Sequence, residues 1–264
     1  MLFLGFSAGI PILLIFSSLS LWLREAGVER AAVTFFSWAA LGYSFKFVWA
    51  PLVDRLPIPW LTRWLGRRRS WMLLAQSSII GAILWMAFTN PVEAENSMTL
   101  MAFAAVFLGF SSATQDVVID AYRIESADSD LQAMMSSTYI AGYRIGMLVA
   151  GAGALFLASY LGSEMGSYHY HAWRWTYIAM AGVMLVGVIT TLTIPEPDIQ
   201  KKSHHPHRDL DYLHLFLLFL CAITGFIATF YVSTGIVSTS KNFLTSIFNN
   251  PYLASFLMET LRLI

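Results

Sequence analysis

The chain has 264 residues, 57% hydrophobic and only 12% charged, with 16 basic and 16 acidic side chains that leave no formal net charge. An ordinary soluble domain carries about 25% charged residues, so this chain has too few to cover a water-facing surface, and much of its solvent must be lipid. A neutral chain lacks the basic face that nucleic acid requires, and the single cysteine, Cys221, excludes an internal disulfide framework and a four-cysteine metal site.

A helix needs about 20 mostly apolar residues to cross the hydrocarbon core. Seven stretches meet that length, at 2–23, 31–53, 71–89, 98–118, 134–161, 173–194 and 212–237, and an eighth begins near Pro251 and reaches Ile264. The first lacks the basic n-region and small-x-small cleavage site of a signal peptide, so it is read as a span. Lys and Arg in the loops set orientation. Arg55, Arg63, Arg67, Arg68 and Arg69 follow span two, Arg123 follows span four, and Lys201, Lys202 and Arg208 follow span six. The opposite loops hold only Arg24, Arg30 and Arg174, and nine against three places the N-terminus in the cytoplasm. The domains expected are a six-helix bundle at 1–194, a cytoplasmic linker at 195–210 and further helix at 211–264. The linker histidines His204, His205 and His207, and His169 and His171 in an outer loop, are read as solvated rather than metal-binding.

Spans one to three repeat weakly in spans four to six. Gly5-Phe6-Ser7 in span one matches Gly109-Phe110-Ser111 in span four, and Gly42-Tyr43 in span two matches Gly142-Tyr143 in span five, at offsets of 104 and 100 residues. Three helices is an odd number, so the second copy lies inverted in the membrane, the arrangement from which many transporters build two packings around one site.

Charges at membrane depth are costly and usually face a protein interior. Lys46, Asp116, Asp120 and Arg144 lie within or at the ends of spans, two cations balancing two anions. Asp116 and Asp120 share a helical face at a spacing of four, with Gln115 beside them, and Arg144 falls roughly 18 Å along its span. Asp116 is expected to take up and release a proton as Lys46 or Arg144 moves relative to it. The competing reading is a static ion-pair network that fixes helix packing, and Asp120 has the further option of pairing with Arg123. Trp22, Trp38 and Tyr43 are candidates to line a cavity.

Four stretches together resemble the AmpG-type permeases of the major facilitator superfamily: GFSAGIPILL (5–14), YSFKFVWAPLVDR with GRRRSW (43–55 and 66–71), FSSATQDVVIDAYR (110–123) and GYRIGMLVAG (142–151). The resemblance covers nearly all of 2–197. It implies an all-α membrane protein, the six-helix N-terminal bundle of a major-facilitator-type transporter with a 3+3 inverted repeat, followed by one to two further helices. It also implies a multi-pass transporter of the bacterial inner membrane that imports anhydro-muropeptides from periplasm to cytoplasm. The proton gradient would drive it in place of a cofactor, and its cargo would link it to β-lactamase induction. Gly9, Lys46, Gln115, Asp116, Asp120 and Arg144 match the family's motif residues by position, with Tyr43, Tyr143 and Trp22 as cavity candidates. Asp54, Arg55 and Arg67 match the family's cytoplasmic latch, here with about ten inserted residues (56–65) between its two parts. Family members have a second six-helix half, so the chain is expected to be a fragment whose partners are that half, membrane lipid and a sugar-peptide substrate.

Other readings stay open. The same architecture serves a transporter of another cargo, such as an acyl-CoA-like compound, or a non-transporting membrane subunit. An intramembrane aspartyl dyad fits poorly, because two acids one turn apart on one helix do not converge.

Overall fold

The structure, a computed structural model, describes residues 1–28, 39–94, 96–197, and Leu217, Cys221, Thr224 and Gly225. These residues are helical nearly throughout, with one isolated bridge between Glu164 and Ser167 in an inter-helix loop. In chain order the helices are α1 (Leu2–Glu25), α2 (Ala39–Arg55), the short α3 (Leu61–Leu65), α4 (Arg67–Ala87), α5 (Ser97–Ser126), α6 (Ser129–Tyr160) and α7 (Tyr170–Thr193). Among the described residues α1, α4, α5, α6 and α7 are long and apolar enough to cross a membrane. The first part of the expected second span lies outside the described residues, which begin again at Ala39 in α2. The chain divides into two compact units, Met1–Ser203 and His204–Ile264. In the second, the four described residues are helical, and the expected span at 212–237 and the start of an eighth otherwise lie outside the described set.

The helices overrun the apolar stretches. α5 continues from Val118 to Ser126, α4 starts at Arg67 rather than Trp71, and α6 starts at Ser129 rather than near 134. An apolar count measures the part of a helix that lipid surrounds, whereas the polar turns beyond it keep their backbone hydrogen bonds in any solvent. α1 departs from regularity one turn after Pro11. That residue has no N–H to give to the helix ladder, and a π turn follows at Leu14–Ser18. A second π turn, Val149–Gly153, interrupts α6. Polar backbone in lipid must find a partner within the protein. The Ser18 hydroxyl donates to the Ala150 carbonyl at 2.8 Å and the Tyr177 hydroxyl to the Leu14 carbonyl at 3.0 Å, tying both irregular turns into the core.

Two helix pairs cross with no room for a side chain between them. In the α1–α6 crossing, a Cβ on Gly5 would overlap the Tyr139 carbonyl, and one on Gly142 would overlap the Leu2 carbonyl and lie 2.9 Å from the Phe6 nitrogen. In the α2–α5 crossing, a Cβ on Gly109 would lie 2.5 Å from the Ala39 carbonyl, and one on Gly42 would lie 2.9 Å from the Phe110 nitrogen. Residues 39 and 139, and 6 and 110, are related by the same offsets as the sequence repeat. The two crossings are therefore one motif used twice, and the short matches of GFS and GY are its imprint.

The core between the helices is built on Leu14, Leu19, Trp22, Ile79, Ile83, Trp173 and Tyr177. At the end of the bundle remote from the N-terminus, Trp22 stacks flat on Trp173 at 5.7 Å and leans on Tyr177 at 4.9 Å. Its indole N–H donates to the Tyr168 hydroxyl at 3.2 Å, while the Glu25 carboxylate accepts from the Trp173 indole at 2.7 Å and the Ser163 hydroxyl at 2.6 Å. Burial raises the Tyr168 phenol above its ordinary range, so it stays a neutral donor and acceptor in this contact.

Because overpacking a tight contact costs about 1–3 kcal/mol or more, Gly142→Val and Gly5→Val are expected to lower the midpoint of thermal unfolding in detergent sharply. Gly81→Ala, where a Cβ meets nothing within 4 Å, is expected to be neutral or to stabilise by up to about 1 kcal/mol through helix propensity.

Candidate functional site

Polar side chains gather at two places. The first is within the span region, between α2, α5 and α6. Asp116 on α5 accepts a hydrogen bond from the Tyr139 hydroxyl of α6 at 3.3 Å, and the charges of Lys46 on α2 and Asp120 on α5 both act on it. Tyr143 packs on Tyr139 with ring centroids 6.0 Å apart and lies within electrostatic reach of both Asp116 and Arg144. Tyr43 on α2 donates to the Ser112 hydroxyl at 2.9 Å and also senses Asp116. Among the described residues no ion pair within 4 Å joins Asp116, Lys46 or Arg144. The arrangement is thus an acid bonded to one phenol hydroxyl and under the charge of a cation on a neighbouring helix, rather than a closed salt bridge. Such an acid remains able to change protonation as its neighbours shift.

The expected residues divide on inspection. Lys46, Asp116, Tyr43 and Tyr143 belong to one cluster, and Arg144, which is exposed on α6, reaches it through Tyr143. Gln115 does not line it. That side chain is fully buried on the other face of α5, where its amide donates to the Ser7 hydroxyl of α1 at 3.1 Å. Gly9 abuts the Tyr143 carbonyl and Met147 in the α1–α6 crossing, so it serves backbone packing there. Trp22 is fully buried in the aromatic stack described above and faces no cavity. Trp38 lies outside the described residues. Asp120 pairs with Arg123 one turn on at 3.1 Å, and Arg123 also donates to the Ser136 hydroxyl at 2.8 Å. Tyr139 and Ser112 were not singled out in the sequence. Their signal was positional: Tyr139 stands one turn before Tyr143, and Ser112 one turn before Asp116. An apolar groove of about 300 Å³, lined by Leu2, Phe3, Phe6, Gly142, Ile145 and Val186, contains none of these polar groups.

The second place is the N-terminal end of the bundle, where α2, α4, α5 and α7 converge. Arg68, only 4% exposed, donates to Asp54 at the end of α2 at 2.6 Å and to both carboxylate oxygens of Glu125 at the end of α5, one at 2.8 Å. Arg67 adds a longer contact to Glu125 at 3.7 Å. Glu196, just after α7, accepts from the backbone N–H groups of Arg68 at 2.7 Å and Arg69 at 3.1 Å. A carboxylate there satisfies donors that a helix start leaves free and complements the helix dipole. Gly66 precedes them at φ +87°, and any side chain on it would collide with the Glu196 carboxylate. Arg69 caps the other helix end, donating to the carbonyls of Thr191 at 2.9 Å and Leu192 at 2.6 Å. Of the expected latch residues, Asp54 and Arg67 are in the network and the Arg55 side chain is outside the described set. The hub is Arg68, joined by Glu125 and Glu196. The inserted residues 56–65 loop out without breaking the Asp54–Arg68 contact.

Removing one partner of a buried ion pair leaves the other uncompensated and costs about 3–5 kcal/mol. Arg68→Leu is therefore expected to destabilise the bundle strongly. Arg123→Gln breaks a half-exposed pair worth about 1 kcal/mol or less and should shift the melting midpoint little.

The model of the Major Facilitator Superfamily matches residues 1–260. A Rickettsia felis protein named as a transporter, AmpG 4, is 40% identical over 200 residues, which cover 76% of this chain and 45% of that one. The anhydromuropeptide permease of Escherichia coli K12 is 35% identical over 198 residues, covering 75% and 37%. The transporter named AmpG 3 of Rickettsia prowazekii is 32% identical over 226 residues, covering 85% and 51%. The chain spans about half or less of the length of these curated relatives.

Proposed function

The chain belongs to the Major Facilitator Superfamily, and on that premise we propose that it forms the N-terminal half of a proton-coupled importer of anhydro-muropeptides. It is a membrane transporter chain by family and not an enzyme. The cargo is suggested by the E. coli relative, whose name states that it is an anhydromuropeptide permease. Sugar rings present one apolar face and a rim of hydroxyls. Tyr43, Tyr139 and Tyr143 offer rings and phenol groups suited to both, and Lys46 and Arg144 offer charge to a peptide carboxylate.

The observation that carries the coupling is the state of Asp116. Its carboxylate touches one neutral donor and faces Lys46 without a closed pair among the described residues. An acid at membrane depth is costly when charged. Moving Lys46 or Arg144 closer favours release of its proton, and moving them away favours uptake. A helix rearrangement that alters those separations therefore moves a proton in step with cargo. The Arg68 network at the N-terminal end is the corresponding closure, since it joins the ends of α2, α4, α5 and α7 only while those ends are together. Loop charges orient that end to the cytoplasm of a bacterial inner membrane.

Uptake of labelled anhydro-muropeptide tests the proposal, using cells that express the chain together with the second half of a curated relative. Accumulation is expected, with abolition by an uncoupler. Asp116→Asn is expected to reduce accumulation to background while leaving the membrane-inserted amount and melting midpoint near those of the parent. Full accumulation by Asp116→Asn would assign this carboxylate to packing alone. Uptake of a different labelled compound in place of the muropeptide would change the cargo and leave the coupling scheme standing.

A further inference from the structure

Between the ends of α2 and α4, the chain makes a compact excursion, Leu56–Gly66, that includes α3. Trp60 and Trp64 on this excursion are 84% and 88% exposed, more than any other large apolar side chain among the described residues. The next most exposed, Tyr160 at 80% and Phe156 at 77%, sit on a membrane-spanning helix, where lipid accounts for them. Trp60 immediately precedes α3 and Trp64 lies within it, so both indoles belong to one short segment that lies off the spans.

Their exposure is not that of a loose loop. The Ile58 N–H donates to the Thr62 hydroxyl at 2.9 Å, Leu61 N–H to the Pro59 carbonyl at 2.9 Å, and Gly66 N–H to the Thr62 carbonyl at 3.1 Å. The Trp71 indole of α4 holds the Leu56 carbonyl at 2.7 Å. Trp60 itself has φ +71°, the one positive φ at a non-glycine among the described residues, and a bulky side chain rarely adopts that conformation. The indole of this strained residue is turned largely outward from the protein. The segment 56–69 also holds four arginines and no acid. Arg67, Arg68 and Arg69 are engaged in the end network, which leaves Arg63, exposed on α3, with no ion pair or hydrogen bond among the described residues.

We propose that α3 is an interfacial anchor that lies on the bilayer surface at the N-terminal end of the bundle, with Trp60 and Trp64 in the headgroup layer and Arg63 on an anionic lipid phosphate. The occupant follows from position and charge. α2 ends at Arg55 and α4 begins at Arg67, so α3 sits where the membrane boundary must lie. Indole rings favour that boundary because one part is apolar and the N–H needs a polar partner. A single cation beside them complements anionic headgroups. The inference needs only the membrane spans and is independent of cargo and coupling.

The test uses the chain in lipid nanodiscs, in a Cys221→Ser background with Trp64→Cys carrying an environment-sensitive NBD label, and a control label at Ser167→Cys in the loop at the far end. At Trp64→Cys, NBD emission is expected to shift to the blue, to be quenched by a headgroup nitroxide lipid and to resist aqueous iodide. The control label should show the opposite. Lipid quenching is expected to be stronger in discs containing phosphatidylglycerol than in phosphatidylcholine alone, and Arg63→Gln should remove that difference. Ready quenching by iodide with none by nitroxide lipid would overturn the anchor. So would energy transfer between labelled copies, which assigns the surface to protein. Equal quenching in the two discs would overturn the role given to Arg63.

Discussion

The bundle depends on how closely two pairs of helices approach. At Gly5 and Gly142, and again at Gly42 and Gly109, backbone lies directly on backbone. In lipid there is no hydrophobic force to press helices together, so association rests on contact area and interhelical hydrogen bonds. Small residues at the crossing let dispersion contacts act over the whole backbone surface. They also bring the flanking side chains within reach of each other. The Tyr43–Ser112 and Trp49–Thr114 hydrogen bonds flank the α2–α5 crossing, and the Gln115–Ser7 bond ties α5 to α1. Those bonds are consequences of the approach, because a larger residue at either glycine pair would move the donors out of range.

The same constraint explains where the charges sit. With α1 held against α6 and α2 against α5, the face of α5 that carries Asp116 is shared between α2 and α6. Lys46 and Tyr139 therefore reach it from opposite sides. The adjoining face of α5, about 100° round the helix, points into the core toward α1, which is why Gln115, one residue away, is sealed from solvent and from the acid cluster. A single helix thus carries a buried structural amide and a titratable acid side by side.

Much of this was legible in the sequence, for a physical reason: the 20-residue apolar length and the glycine spacings both report directly on lipid and on backbone contact. The GFS and GY matches, weak as strings, coincide with equivalent crossings because sterics at those points tolerate only glycine. Side-chain roles were less legible. Three consecutive arginines look alike in sequence, and only the rotation of the first turn of α4 selects Arg68 as the buried hub while Arg69 turns to the end of α7. Glu125 was hidden because the polar turns of α5 beyond Val118 read as loop. Trp22 is a cavity-lining candidate by sequence, but aromatic content does not distinguish a cavity wall from a core, and here the indole packs on Trp173 and Tyr177.

The two polar sites differ in how densely they are paired. At the N-terminal end, Arg68 meets two carboxylates, and Glu196 is occupied by the amides that begin α4. Every partner sits at the end of a different helix, so the free energy of the network is available only when all four ends are assembled, and separation exposes several charges at once. Within the span region the reverse holds. Asp116 has one neutral hydrogen-bond donor and charges at a distance, so small displacements of α2 or α6 change its environment continuously. The acid in the span has a single bonded donor, whereas the end network is densely paired, with the buried Arg67 Nε left without a partner among the described residues. The chain keeps both on α5, Asp116 in the span and Glu125 about two and a half turns further on, so a shift of that one helix is felt at the acid and at the end network together.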